Sequence, residues 1–268
     1  MNLDGKVAVV TGAAGGIGQA VARSFAVRGC NVALADLNED GLEQTARLIG
    51  NGVRVTRHKL DVADAHAVAA FPAVVRAAHG HVDVVVNNAG VALGGHFDQL
   101  SEEEFDWVVG INFHGVVRMS RAFLPLLKER DQAQLVNLSS LFGLVAPTGQ
   151  TAYSAAKFAV RGFSEALRNE LLAEKSSVGV TVIHPGGIKT GIAQNARVAA
   201  DVSDAERTLA QARFAKALKM PVDEAGEIIV RAIEQRRPRV LVGNDAKMAS
   251  IVERLMPVRY WQLLGRIA

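Results

Sequence analysis

Seven short apolar runs, rich in β-branched residues and separated by segments long enough for helices, most constrain what this chain can fold into. In order they are "KVAVVT", "NVALAD", "VRVTRHKLD", "VDVVVNNAG", "AQLVNLSS", "GVTVIHPGG" and "RVLVGND". Each is bounded by Gly, Asn, Asp or Pro, and each reads as a near-continuous apolar strand. That pattern is expected where helices cover both faces of a parallel sheet. The intervening segments include Gly16 to Arg28, Ser101 to Arg130 and Thr151 to Glu174, and "SEEEF" opens the second with Ser101 and Glu104 spaced as a capping box. The expected fold is α/β, a doubly wound seven-stranded parallel sheet. With 268 residues and no internal repeat or linker, one domain is expected.

Ligands on such sheets bind at the carboxyl ends of the strands, near the topological switch point. The first strand ends in "TGAAGGIG", where Gly12, Gly16 and Gly18 give G-x-x-x-G-x-G, with Gly15 in addition, instead of the commoner G-x-G-x-x-G. Strand, glycine loop and helix together form an anion site, because the amides and the macrodipole at a helix N-terminus favour a phosphate. Asp36 ends the next strand, twenty-four residues after Gly12, where a carboxylate accepts hydrogen bonds from both adenosine ribose hydroxyls. It would repel a 2′-phosphate, and neither Leu37 nor Gly15 offers a compensating charge. NAD is therefore expected in preference to NADP.

"TAYSAAKFAV" places Tyr153 and Lys157 four apart on one helix face. A free tyrosine has a pKa of about 10 and is a poor base at neutral pH; lowering it by about three units takes about 4 kcal/mol. A partly desolvated Lys157 together with a positive nicotinamide ring would supply that stabilisation. Thirteen residues upstream, Ser140 in "NLSS" can offer a hydroxyl to the same substrate oxygen.

With "TGAAGGIG", "NNAG" (residues 87–90), Asn112 in "GINFHG", "YSAAK" and "PGGIKT", the chain resembles the short-chain dehydrogenase/reductase family from residue 6 to about 190, and more weakly to residue 243. The altered glycine spacing is similar to that family's own cofactor loop, with Ile17 between its last two glycines. The resemblance implies a Rossmann-like fold and NAD as cofactor. It also implies Tyr153 as general acid/base, Lys157 as the residue that lowers its pKa and binds the nicotinamide ribose, and Ser140 as the group that polarises the substrate oxygen. Asn112 would hold a water linking Lys157 to solvent. Asp61 and Val62 would bracket the adenine, and Asn88 and Gly90 would lie near the adenosine ribose, with Asn87 tying strands together. Pro185, Gly186, Ile188 and Thr190 would contact the nicotinamide carboxamide and phosphates. The implied reaction is reversible hydride transfer between an alcohol carbon and nicotinamide C4. No metal is required, and the seven histidines show no ligand grouping beyond His79 and His81. The family's habit is a homotetramer or homodimer built on the long helices at 112–130 and 151–174.

Beyond the catalytic set the pattern is less specific. Gly94, Gly95, His96, residues 141–150 and a lid at about 190–220 form the expected pocket wall, mostly small or apolar, which favours an apolar alcohol or ketone. The domain proper is expected over 1–244. Residues 245–268 form a helical extension whose apolar stripe (Met248, Ile251, Val252, Leu255, Met256) must be covered, by the body or a partner subunit, by a membrane surface at Trp261 and Arg259, or by closing over the substrate. A membrane partner is the less favoured of these. The net charge of +3, from 30 basic and 27 acidic residues, is too thin a footprint for nucleic acid. A lone Cys30 and the absence of a leader-like N-terminus point to a reducing, cytoplasmic setting. Two other readings remain: an NADPH-dependent carbonyl reductase, against which Asp36 argues, and a non-catalytic dinucleotide sensor, which would have no use for the quartet Asn112, Ser140, Tyr153 and Lys157.

Overall fold

The computed structural model describes residues 1–192, 196–199, 202, 208, 212 and 216–265. The seven expected runs become strands β1 (Val7–Thr11), β2 (Asn31–Asp36), β3 (Val55–Lys59), β4 (Val84–Asn87), β6 (Ala133–Leu138), β7 (Val178–Pro185) and β9 (Arg239–Val242). They pair in parallel in the order β3-β2-β1-β4-β6-β7-β9, so the chain reverses direction across the sheet between β1 and β4. The carboxyl ends of β1, β2, β4, β6 and β7 share one edge. Two further short strands, β5 (Leu93–Gly94) and β8 (Arg197–Val198), pair with each other in front of that edge.

Period-two alternation sorts the strand side chains into two cores. Ala8, Val10, Val32, Leu34, Val84 and Val86 face α1 (Gly16–Val27), α2 (Glu39–Ile49) and α7 (Val222–Glu234). Val9, Ala33, Ala35 and Val85 face α3 (Ala65–His79), α5 (Gly115–Lys128) and α6 (Thr151–Ala173). One strand departs from the expected apolar run. In β3 no residue is fully buried, and Arg57 and Lys59 are exposed, because this edge strand has one solvated border. Arg57 pairs with Glu43 and Lys59 with Glu39 of α2.

The expected helix from Ser101 to Arg130 is interrupted. Ser101 caps α4 (Glu102–Val109) through the expected reciprocal box with Glu104, but Gly110–His114 is a π-helical turn before α5 begins. Such a turn adds a residue to the repeat and is frequently found at functional sites. Here it carries Asn112. The lid falls largely on 193–195, 200–201, 203–207, 209–211 and 213–215, which lie outside the described residues, as do the last three of the chain. Within the tail, α8 (Asn244–Leu255) and α9 (Tyr260–Leu264) bury Ala249 and Leu264 against Leu141, Phe142 and Val145. No helix among the described residues is long and apolar enough to cross a membrane.

At the opposite edge of the sheet, Asp83 anchors the starts of β1 and β4. Its fully buried carboxylate accepts from Val7 N at 3.0 Å, Lys6 Nζ at 3.2 Å and Arg130 Nε at 2.9 Å, and lies 3.1 Å from His81 Nε2. Cys30 lies nearby, and burial with the Asp83 charge pushes its thiol up to about 12, so it is inert. Asp83→Ala should destabilise the fold by about 3 kcal/mol, the lower end for a broken buried ion pair, since Lys6 and Arg130 both reach solvent. Urea unfolding would show this as a lower midpoint at unchanged slope; an unaltered midpoint would remove Asp83 from the account.

Candidate active site

The glycine loop joins β1 to α1 at the switch point. Gly12 and Gly16 adopt positive φ, +66° and +53°. A Cβ on Gly18 would overlap Gly12 O, and one on Gly12 would come within 2.7 Å of Asn88 Nδ2. The loop is thus drawn tight by Asn88, whose side-chain amide donates to Thr11 O at 2.9 Å and Gly12 O at 3.1 Å. Thr11 Oγ1 in return accepts from Asn88 N and Ala89 N. Gly15, the N-cap of α1, has open space around its Cβ position. While α2, α3 and α4 are capped by Asn38, Asp64 and Ser101, α1 has no side-chain cap and no acid in its first turn. Its amides are left for an external anion. This tight, uncapped loop fits a dinucleotide pyrophosphate, and Ile17, packed against the core, sets its floor.

Asp36 bends back to the loop: Oδ2 accepts from Ala14 N at 3.1 Å and Oδ1 from Asn38 N at 3.0 Å. Each oxygen keeps a lone pair for a ribose hydroxyl. Val62 is buried and packs against Gly115 at the start of α5, while Asp61 closes its own turn on Ala63 N. Asn87 donates to Ser120 Oγ and Asn137 Oδ1, tying β4 to α5 and β6. Thr190 lies within 3.4 Å of a Cβ placed on Gly16, and Ile188 is buried in the core. The turn beginning at Pro185 and Gly186 therefore ends against the glycine loop.

The second cluster gathers on α6 and the loop after β6. The Tyr153 hydroxyl lies near that of Ser140, and Lys157 Nζ lies 5.6 Å from the Tyr153 ring centre and donates to Leu138 O at 3.0 Å. Ser139, the neighbouring hydroxyl, is spent on Lys157 O instead. A Cβ on Gly90 would lie 3.0 Å from Asn112 Oδ1 and 3.6 Å from Lys157 Nζ, so these three converge. Asn112 is fully buried, and both ends of its amide are used on Val91: Oδ1 accepts from its N–H and Nδ2 donates to its carbonyl. One lone pair on Oδ1 is left for a water.

Two electrostatic features modify the expected catalytic pair. Burial raises the Tyr153 phenol above its ordinary value, and its hydrogen bond with Ser140 only partly opposes this. Burial also brings Lys157 down to about 8. Burial thus acts against the lowering expected from Lys157 together with a nicotinamide ring.

Three contributors carry no motif that a sequence reading could use. His184, on β7, is fully buried and its Nδ1 is 3.0 Å from Ser140 O. Asp245 and Tyr260 reach the site from the tail. His96, in the expected pocket wall, is exposed, and Gly95 beside it packs against Ala199.

Burial, then the charges of Arg239 and Arg161, holds His184 down to about 4, against a hydrogen bond that opposes the shift. It is neutral at pH 7 and donates from Nδ1. Its folded value lies below its unfolded one of 6.5, so its contribution is complete above pH 6.5 and is lost as pH falls toward 4. Up to about 3 kcal/mol should disappear across that window. His184→Leu should unfold more easily at neutral pH but show a shallower acid slope; an unchanged slope would contradict the assignment.

A family model described as short chain dehydrogenase matches residues 6–201. SadH of Mycobacterium tuberculosis, provisionally named an oxidoreductase, is 43% identical over 266 residues, covering 98% of this chain and 95% of that protein. Among solved structures, a short chain dehydrogenase/reductase from Burkholderia phymatum in complex with NAD superposes with a TM-score of 0.87 at 30% identity, covering 95% of both chains. An alcohol dehydrogenase from the archaeon Thermococcus sibiricus, complexed with 5-hydroxy-NADP, gives 0.73 at 30% identity, over 89% of this chain and 94% of that one. With its seven-stranded sheet and glycine loop, this chain belongs to the short-chain dehydrogenase/reductase family of oxidoreductases, built on an NAD(P)-binding fold.

Proposed function

We propose that the protein is an NAD-dependent dehydrogenase that interconverts a secondary alcohol and its ketone, with Tyr153 as general acid/base. The observation that carries this reading is the convergence of the Tyr153 and Ser140 hydroxyls beside the buried Lys157 ammonium. A dinucleotide held at the glycine loop through its pyrophosphate would supply, in its nicotinamide, the two-electron acceptor or donor. Ser140 Oγ, which also accepts from Phe142 N at 3.1 Å, holds the substrate oxygen against Tyr153 Oη. Tyr153 takes the hydroxyl proton in oxidation and returns it in reduction. Lys157, held by Leu138 O, keeps a positive charge beside the phenol, and bare Gly90 leaves room next to Asn112 Oδ1 and Lys157 Nζ. At neutral pH the free pair is phenol and ammonium, since burial opposes the phenolate.

The preference for NAD rests on Asp36 and on the pairing of the cations around it. Lys59 is the register partner of Asp36 on β3, the position from which a cation would meet a 2′-phosphate. Its ammonium is engaged by Glu39 at 2.8 Å, and Arg57 is engaged by Glu43. On the substrate side, Phe142 meets the Tyr153 ring edge-on and suits an apolar substituent on the carbinol carbon.

Tyr153→Phe should lower turnover by about 10²–10⁴-fold while leaving the dissociation constant for NADH unchanged. Turnover retained in that variant would end the proposed mechanism. Thermal unfolding with each dinucleotide at one common concentration, about 100 times the dissociation constant for NADH, should show about 2.7 kcal/mol of stabilisation with NADH. The tightest binding is expected for NAD and NADH, and a larger response to NADP and NADPH would reverse the cofactor assignment.

A further inference from the structure

The loops that flank the reacting atoms are each held by the tail. On the cofactor side, Asp245 Oδ2 accepts from Gly187 N at 2.6 Å, and Oδ1 accepts from Ala246 N at 2.9 Å. The carboxylate occupies space that only glycines leave open: a Cβ on Gly186 or on Gly243 would overlap it. Gly243 enters α8 at φ +105°, a backbone that other residues rarely adopt. Gly186 N donates to Val242 O, and Gly187 O accepts from Lys219 N and Met220 N. The turn is therefore gripped from both sides before it runs on to Ile188 and Thr190 beside Gly16.

On the substrate side, Tyr260 Oη accepts from Ala146 N at 3.1 Å, and Leu264, Trp261 and Val252 pack on Leu141, Phe142 and Val145. Phe142 in turn meets the Tyr153 ring edge-on, with ring centres 6.1 Å apart. The loop that carries Ser140 is thus fixed from its far side by α9.

We propose that the tail is a two-handed brace, in which Asp245 is a positioning residue for the cofactor-side turn 185–190 and Tyr260 a positioning residue for the substrate-side turn 141–146. The proposal rests on the dinucleotide-dependent reading above. Neither residue touches reacting atoms; each acts through the backbone amide it binds. Asp245 lies in the first turn of α8 and Tyr260 opens α9, where its N–H donates to the carbonyl of Met256.

The test uses the full chain, NADH as probe, and hydrogen exchange read by peptide. Asp245→Ala should weaken NADH binding at least fivefold and speed exchange in 185–190, with 141–146 unchanged. Asp245→Asn, which keeps an acceptor of the same size, should recover most of the affinity. Tyr260→Phe should speed exchange in 141–146 and leave NADH affinity within twofold. A lower unfolding temperature with NADH affinity retained in Asp245→Ala would make Asp245 merely structural and overturn the proposal. So would unchanged exchange at 141–146 in Tyr260→Phe. If the wild-type chain does not bind NADH, the proposed function fails; the exchange responses still decide whether the tail holds the two turns.

Discussion

Close contact between α1 and the backbone of Gly12 is the constraint on which the catalytic edge depends. A side chain at Gly18 would overlap Gly12 O, so the helix can start directly above β1 only because that position is bare. Asn88 then binds the carbonyls of Thr11 and Gly12 and brings the end of β4 against the same loop. From there the chain runs through Gly90 to Asn112 and Lys157. The candidate anion site and the candidate catalytic side chains therefore share one support, and α1 has no side-chain cap of its own there.

Burial sets the chemistry of that support. Removed from water, the phenol of Tyr153 holds its proton more firmly and the amine of Lys157 less firmly. Both shifts favour uncharged forms, so the resting site does not store an activated base. A positive charge entering such a site would act on Tyr153 with the same low-dielectric enhancement, in the opposite sense. The buried amine is tolerated because Leu138 O satisfies it while it is charged.

The seven strands were legible because each is a run of apolar β-branched residues between breakers, and Ser101 with Glu104 marked the start of α4 because capping is local chemistry. The solvated edge strand β3 was misjudged as part of a uniform core: its place at the border is set by sheet order, which no local pattern encodes. The π turn at Gly110–His114 was also hidden, since one extra residue in a helix hardly alters its apolar period.

The amino-acid sequence by itself determined the strand count, the glycine loop, Asp36 and the spacing of Ser140, Tyr153 and Lys157, because each depends on residues close in the chain or on a recurring spacing. Only the tertiary structure decided what surrounds them. His184 behind Ser140, Asp245 under Gly187, Tyr260 against Ala146 and Glu39 on Lys59 are contacts between segments that share no motif. The burial that shifts Tyr153 and Lys157 likewise follows from how the helices close over the sheet edge, a property of the packed whole that no stretch of sequence carries.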